Sequence, residues 1–331
     1  MERLRDRRVL VTGAGGFIGS HLVEALVPLC QRVTALIHYD SRPGFGNLEF
    51  LTTDIRRDAR ILSGNVADPF FVRRAVEGHD LVFHLAALIS IPYSYIAPAA
   101  YFRTNVMGTL NVLEACRSEK VQRLVSVSTS ECYGSAQYTP MPEEHPLHAQ
   151  SPYSASKIAA DKTVESYYCS FGLPAVIIRP FNTYGPRQSA RAVIPTIITQ
   201  TLSDESIIRL GSLTPVRDLT FVEDTVMGLI AAAVSDGVEG ETINLGVGQG
   251  VSIGELARRI GSLTGINKEI VCEEERIRPE KSEVITLISD NSKAARLLGW
   301  KPKIALDDGL KRTIDFVREH PDFYRPGTYL I

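Results

Sequence analysis

Arg8-Val-Leu-Val-Thr12-Gly13-Ala14-Gly15-Gly16-Phe17-Ile18-Gly19 reads as an apolar strand, a glycine-rich turn and the opening of a helix. Gly13, Gly16 and Gly19 stand three apart. Without β-carbons, such a backbone can approach a pyrophosphate and aim its N–H groups and a helix N-terminus at the charge. Glycine turns also join strands to helices for packing alone, so a second motif is needed to decide between the two. Downstream lies Ser151-Pro-Tyr153-Ser-Ala-Ser-Lys157. A Tyr and a Lys four apart share one helix face, with Cβ atoms about 6 Å apart. A free phenol ionises near ~10, and a nearby ammonium favours the phenolate. The two stretches together describe a nicotinamide cofactor site, including Phe17 and Ile18 at the helix start, with Tyr153 as a base and Lys157 beside it.

Apolar runs at 8–12, 32–37, 60–63, 81–85, 124–128 and 175–179 have the character of buried parallel strands. Helical patterns at 17–28, 69–77, 101–118 and 153–171 fall between them. This alternation implies right-handed crossovers and an α/β fold with a doubly wound parallel sheet. Loops at the carboxyl ends of the strands (13–19, 84–90 and 129–133) should share one crevice. Beyond Pro180 the pattern is less regular, with helices expected at 193–202, 226–233, 253–263, 292–298 and 306–318. The expected division is 1–180 for the cofactor and 181–331 for a smaller C-terminal substrate-binding domain. A segment near 220–246 is expected to return, with Thr242 to Leu245 a strand of the first sheet.

With 331 residues, 44% of them hydrophobic, a large core is available. Lys+Arg 36 against Asp+Glu 38 argues against nucleic acid as a partner. No apolar run reaches membrane-spanning length and no cleavable leader is evident. The five cysteines are scattered without metal-ligand spacing, as expected of reduced thiols in a cytoplasmic protein with no metal.

In an NAD enzyme the tip of the second strand offers an acid to the adenosine ribose. Here the tip reads Leu36-Ile37-His38-Tyr39-Asp40-Ser41-Arg42, and Ile37 holds the expected position. Asp40 could substitute, whereas His38 and Arg42 could meet a 2′-phosphate; NAD is favoured and NADP stays open. Asn65 and Val66 are candidates to touch adenine, or form a plain turn. Leu85, Ala86 and Ala87 would let a cofactor lie close, and Asn105 completes that set. His84 reads as structural. Thr129 could bond a substrate hydroxyl beside Tyr153, and Ser130 is its neighbour. Glu131, in a partly dry crevice, could be a general base of raised pKa, though a solvated strand-end glutamate fits as well. Ser90 and Asn182 are substrate candidates. Arg187 and Arg217 could clamp a diphosphate or equally form surface ion pairs.

Together these motifs resemble the extended short-chain dehydrogenase/reductase superfamily, in particular its sugar-nucleotide epimerases and dehydratases, over essentially the whole chain. The stretches His84-Leu-Ala-Ala-Leu-Ile-Ser-Ile-Pro-Tyr-Ser-Tyr95, Ser128-Thr-Ser-Glu-Cys-Tyr-Gly134 and Gly185-Pro-Arg-Gln-Ser-Ala-Arg-Ala-Val-Ile-Pro195 are similar to NAD-dependent 4,6-dehydratases of nonulosonic (legionaminic) acid pathways. The resemblance implies a Rossmann domain and a nucleotide-linked N-acetylglucosamine substrate. It implies that Tyr153 takes the C4 hydroxyl proton, Thr129 orients that oxygen and Lys157 holds the cofactor ribose. Glu131 would then remove the C5 proton, with water lost from C6. It also implies a homodimer built by pairing the helices at 101–118 and 153–171.

One departure stands out. Better-known hexose 4,6-dehydratases carry Thr-Asp-Glu where this chain has Thr129-Ser130-Glu131. Their Asp protonates the departing oxygen, a task for which a serine hydroxyl is too weak an acid. Epimerisation or decarboxylation of a sugar nucleotide therefore remains an alternative, as does a non-catalytic cofactor-sensing protein.

Overall fold

The computed structural model describes residues 2–41 and 44–324, so Arg42 lies outside the described residues. Seven strands form the central sheet: β1 (Arg8–Thr12), β2 (Arg32–His38), β3 (Ala59–Gly64), β4 (Leu81–His84), β5 (Arg123–Val127), β6 (Ala175–Pro180) and β7 (Thr242–Leu245). All pairings are parallel, in the order β7-β6-β5-β4-β1-β2-β3. The chain winds outward from β1 through β2 to β3, then restarts on the other side at β4. The crevice between the ends of β1 and β4 is therefore the switch point at which such sheets bind ligands.

The interior strands are apolar because both faces are covered; all four residues of β4 are buried. Helices α1 (Phe17–Leu26), α2 (Pro69–Val76), α3 (Gly108–Ser118), α4 (Pro152–Phe171) and α5 (Val222–Val234) cover the sheet, and α6 (Leu306–Glu319) belongs to the second half. The largest core cluster joins Leu22, Val23 and Leu26 of α1 to Leu229 and Ile230 of α5; a second joins Val72 and Val76 of α2 to Val112 and Val164 of α3 and α4.

The second half returns one strand to the sheet: β7 pairs with β6, Thr242 opposite Ile177 through Leu245 opposite Pro180. Three small sheets accompany it among the described residues: Val216–Asp218 with Gly250–Ser252 and Thr286–Leu287, Ile207–Leu210 with Glu269–Cys272, and Thr183–Tyr184 with Thr220–Phe221.

The helix expected over 101–118 is interrupted. A wide, π-type turn at Phe102–Met107 precedes α3 and turns Asn105 into the protein. Helix α5 begins four residues before its expected start. Asp224, in its first turn, points inward and accepts the N–H groups of Lys303 at 3.0 Å and Ile304 at 2.9 Å. Among the described residues, no helix is long and apolar enough to cross a membrane, and no His/Cys/Asp/Glu group could hold a metal.

Candidate active site

Thr12 ends β1 beneath the glycine turn. Its Oγ1 accepts the N–H groups of Leu85 and Ala86, both at 3.2 Å, and meets His84 Nδ1 at 2.9 Å. His84 Nε2 meets Thr109 Oγ1 at 3.1 Å, and that hydroxyl donates to the Asn105 carbonyl at 2.6 Å. The donor order places the imidazole proton on Nε2. Burial, helped by the Lys157 charge, pushes the His84 pKa down to about 3, so it is a neutral link and not a titrating catalyst.

Gly13 has φ of 72°, and a β-carbon there would come within 2.8 Å of the Ala86 nitrogen. Gly16 caps α1 without a side chain, and the first turn of α1 holds no acid. The N–H groups of Phe17, Ile18 and Gly19 therefore face outward without an intrahelical acceptor. An uncapped helix N-terminus above a cradle that any side chain would fill suits a dinucleotide pyrophosphate. At the tip of β2, Ile37 is buried while His38 and Asp40 are exposed. Asn65 is engaged locally, its Oδ1 accepting the Ala67 N–H at 2.9 Å; buried Val66 offers its carbonyl to Asn111 at 3.0 Å.

Asn105 binds the loop after β4 to the helix that carries Tyr153 and Lys157. Its Oδ1 accepts the Leu88 N–H at 2.8 Å, and its Nδ2 donates to the Leu88 carbonyl at 3.0 Å and to Ser156 Oγ at 2.9 Å. Ser156 donates to the Tyr153 carbonyl at 2.7 Å. Ala87 is half-buried in the same loop. Ser90 caps the short helix Ile91–Ile96 and receives the Tyr101 hydroxyl on its carbonyl.

Helix α4 starts at Pro152 behind a reciprocal Ser151/Ser154 cap. Tyr153 comes next, packed with Ile91 and Leu88 and edge-on to Tyr101 at 6.2 Å. Burial pushes the Tyr153 phenol above its ordinary value; a hydrogen bond with Thr129 opposes this, and Cys132 and Glu131 reinforce it. This differs from the lowering expected from Lys157. Lys157 Nζ donates to the Val127 carbonyl at 2.8 Å, and burial draws its own pKa down while Asp161 opposes.

Thr129 begins the turn Ser130–Tyr133 and accepts the Glu131 N–H at 3.2 Å. Ser130 is buried. Half-buried Glu131 lies near enough to Tyr153 and Arg217 for its charge to raise the pKa of each. The two arginines expected to act together are held by different carboxylates: Arg187 by Glu24 of α1 at 2.9 Å, Arg217 by Glu283 at 3.4 Å. The second guanidinium beside Arg217 is Arg278, 3.7 Å from the same Glu283 oxygen. Sequence reasoning passed over Arg278 because a lone loop arginine carries no spacing signal. Asn182 keeps a buried Oδ1 without a hydrogen-bond partner among the described residues.

A family model described as GDP-mannose 4,6 dehydratase matches residues 10–313. The chain is 34% identical over 324 residues to dTDP-glucose 4,6-dehydratase of Streptomyces griseus, covering 96% of each. The dTDP-glucose 4,6-dehydratase of Streptomyces venezuelae, solved with NAD bound, superposes with a TM-score of 0.86 at 30% identity, over 96% of this chain and 99% of that one. A UDP-N-acetylglucosamine 4-epimerase from Methanobrevibacter ruminantium gives 0.85 at 29% identity, over 96% and 100%.

The geometry predicts that, in protein stripped of nucleotide, Tyr153 ionises above the ordinary phenol value of ~10. Ultraviolet difference titration of wild type against Tyr153→Phe checks this. An extra phenolate appearing below pH ~8 would contradict it.

Proposed function

The chain belongs to the GDP-mannose 4,6 dehydratase family of NAD-dependent sugar-nucleotide enzymes, and on that premise we propose that it dehydrates a nucleotide-linked hexose across C5 and C6, the hexose being N-acetylglucosamine. The observation that carries this reading is Glu131 itself, half-buried on the turn that Thr129 caps, with its charge felt by Tyr153 and Arg217. Inverting C4 requires no second base, whereas elimination requires removal of the C5 proton.

Tyr153 takes the C4 hydroxyl proton, and Thr129 orients that oxygen. Lys157 holds the cofactor ribose. Bound NAD would supply the hydride acceptor for C4 oxidation and the hydride donor for C6. Glu131 removes the C5 proton, acidified by the C4 ketone, and returns a proton to C5 when C6 is reduced. Ser130 cannot protonate the departing C6 oxygen, so water or a neighbouring donor does. Arg217 and Arg278 hold the diphosphate, and Asn182 and Ser90 border the sugar. Residues 181–331, apart from the returning strand β7, serve as the substrate side. Resemblance to the nonulosonic-acid dehydratases supports the N-acetyl sugar. One observation favours the alternative of C4 epimerisation: the acid of better-known dehydratases is replaced by Ser130.

Incubation with UDP-, GDP- and dTDP-sugars should yield a product lighter by one water. An unchanged mass would mean epimerisation, and loss of carbon dioxide decarboxylation. In Glu131→Gln, turnover should fall by about 10²–10⁴-fold. Reduced cofactor should accumulate and C5 should no longer exchange with deuterated water; normal exchange would place the base elsewhere.

A homodimer fits the apolar side chains left exposed along the candidate pairing helices: Phe102 and Met107 before α3, Tyr168 and Phe171 on α4. Light scattering at micromolar concentration should give twice the chain mass, and a monomer would exclude this arrangement.

A further inference from the structure

Residues 44–50 leave the tip of β2 and fold back over the glycine turn. Asn47 donates its N–H to the Gly15 carbonyl at 2.9 Å and its Nδ2 to the Arg187 carbonyl at 2.9 Å. Gly46 has φ of 61°, and a β-carbon on it would come within 2.6 Å of the Gly15 oxygen. A turn containing Gly44 and Gly46 has little intrinsic reason to hold one shape. Its far end is fastened from the other end of the chain. Phe50 lies among Phe316 at 5.2 Å, His320 at 5.1 Å and Phe323 at 5.1 Å, centroid to centroid. Tyr324 packs on Phe316 at 6.3 Å and Phe323 at 4.9 Å and is 3% exposed. These rings come from α6 and the short helix Pro321–Tyr324 after it.

We propose that this C-terminal aromatic cluster is a latch that holds residues 44–50 over the dinucleotide turn and so sets how long NAD stays bound. It rests on the reading of Gly13 to Gly19 as the NAD site. Edge-on ring pairs fix orientation as well as burying area, so the cluster constrains the turn more than apolar contact alone would. A segment that loses its anchor opens more often, and the ligand beneath it escapes during the openings. Slow release suits an enzyme that regenerates its cofactor at every turnover. Phe50, Phe316 and Phe323 are then positioning residues for NAD, remote from the reacting atoms.

The test measures NAD carried through purification and its release rate, read by displacement with a fluorescent NAD analogue. Phe50→Ala should release NAD roughly tenfold faster, the scale of losing more than one ring contact. Phe323→Ala should shift release in the same direction by less, and Phe50→Tyr should restore slow release. Phe323 is 39% exposed, so its variant carries the test if Phe50→Ala fails to fold. Release within twofold of wild type in a folded Phe50→Ala protein would overturn the latch, as would unchanged release in Phe323→Ala if that variant alone folds. A wild-type protein that neither carries nor binds NAD would overturn the cofactor reading instead.

Discussion

Asp161 Oδ2 accepts hydrogen bonds from Arg179 Nε at 3.0 Å, Arg179 Nη2 at 2.9 Å and Ser128 Oγ at 2.8 Å, all within the protein interior. Arg179 Nη1 donates to the Tyr133 hydroxyl at 3.0 Å, which donates to Asn244 Oδ1 at 2.8 Å. One buried carboxylate thus fastens α4 to the end of β5, to β6 and, through Tyr133, to β7. Removing one partner of such a pair costs on the order of 3–5 kcal/mol, because the other charge stays buried. Lys157 lies one helical turn before Asp161 and Tyr153 one turn before that. The contact therefore sets the rotation of α4. It also puts negative charge near an ammonium that burial alone would tend to neutralise.

From that fixed helix the crevice divides into two electrostatic halves. Around Tyr153 it is dry, walled by Ile91, Leu88 and Tyr101. At the other end stand Arg217 and Arg278 with Glu283 between them. The charge of Glu131 is felt by Tyr153 in one half and by Arg217 in the other. The two ends thus differ in charge, one apolar beside a phenol and one carrying two guanidinium groups.

Much of this was legible in the sequence where the signal was periodic. The bounds read for β1, β7 and the helices Val193–Leu202 and Ser292–Leu298 are those of the structure, because each is a strongly patterned run between turn residues. The wide turn at Phe102–Met107 was not legible: it holds the inward Asn105 side chain, whose partners Leu88 and Ser156 are brought to it only by the fold. Arg187 and Arg217 both flank the crevice in sequence, yet loop position cannot say which carboxylate each will meet. Asp161 could have been read, since it repeats the four-residue spacing of Tyr153 and Lys157. The direction of the Tyr153 shift could not, because spacing shows a neighbouring charge but not the depth of burial.

The central claim is that one crevice oxidises C4, eliminates across C5 and C6, and returns the same hydride to C6. Incubating the enzyme with a sugar nucleotide deuterated at C4 tests it most directly. The account predicts a product that has lost water and carries the deuterium at C6, with none released to solvent. Deuterium retained at C4 of an epimerised sugar of unchanged carbon skeleton would contradict it.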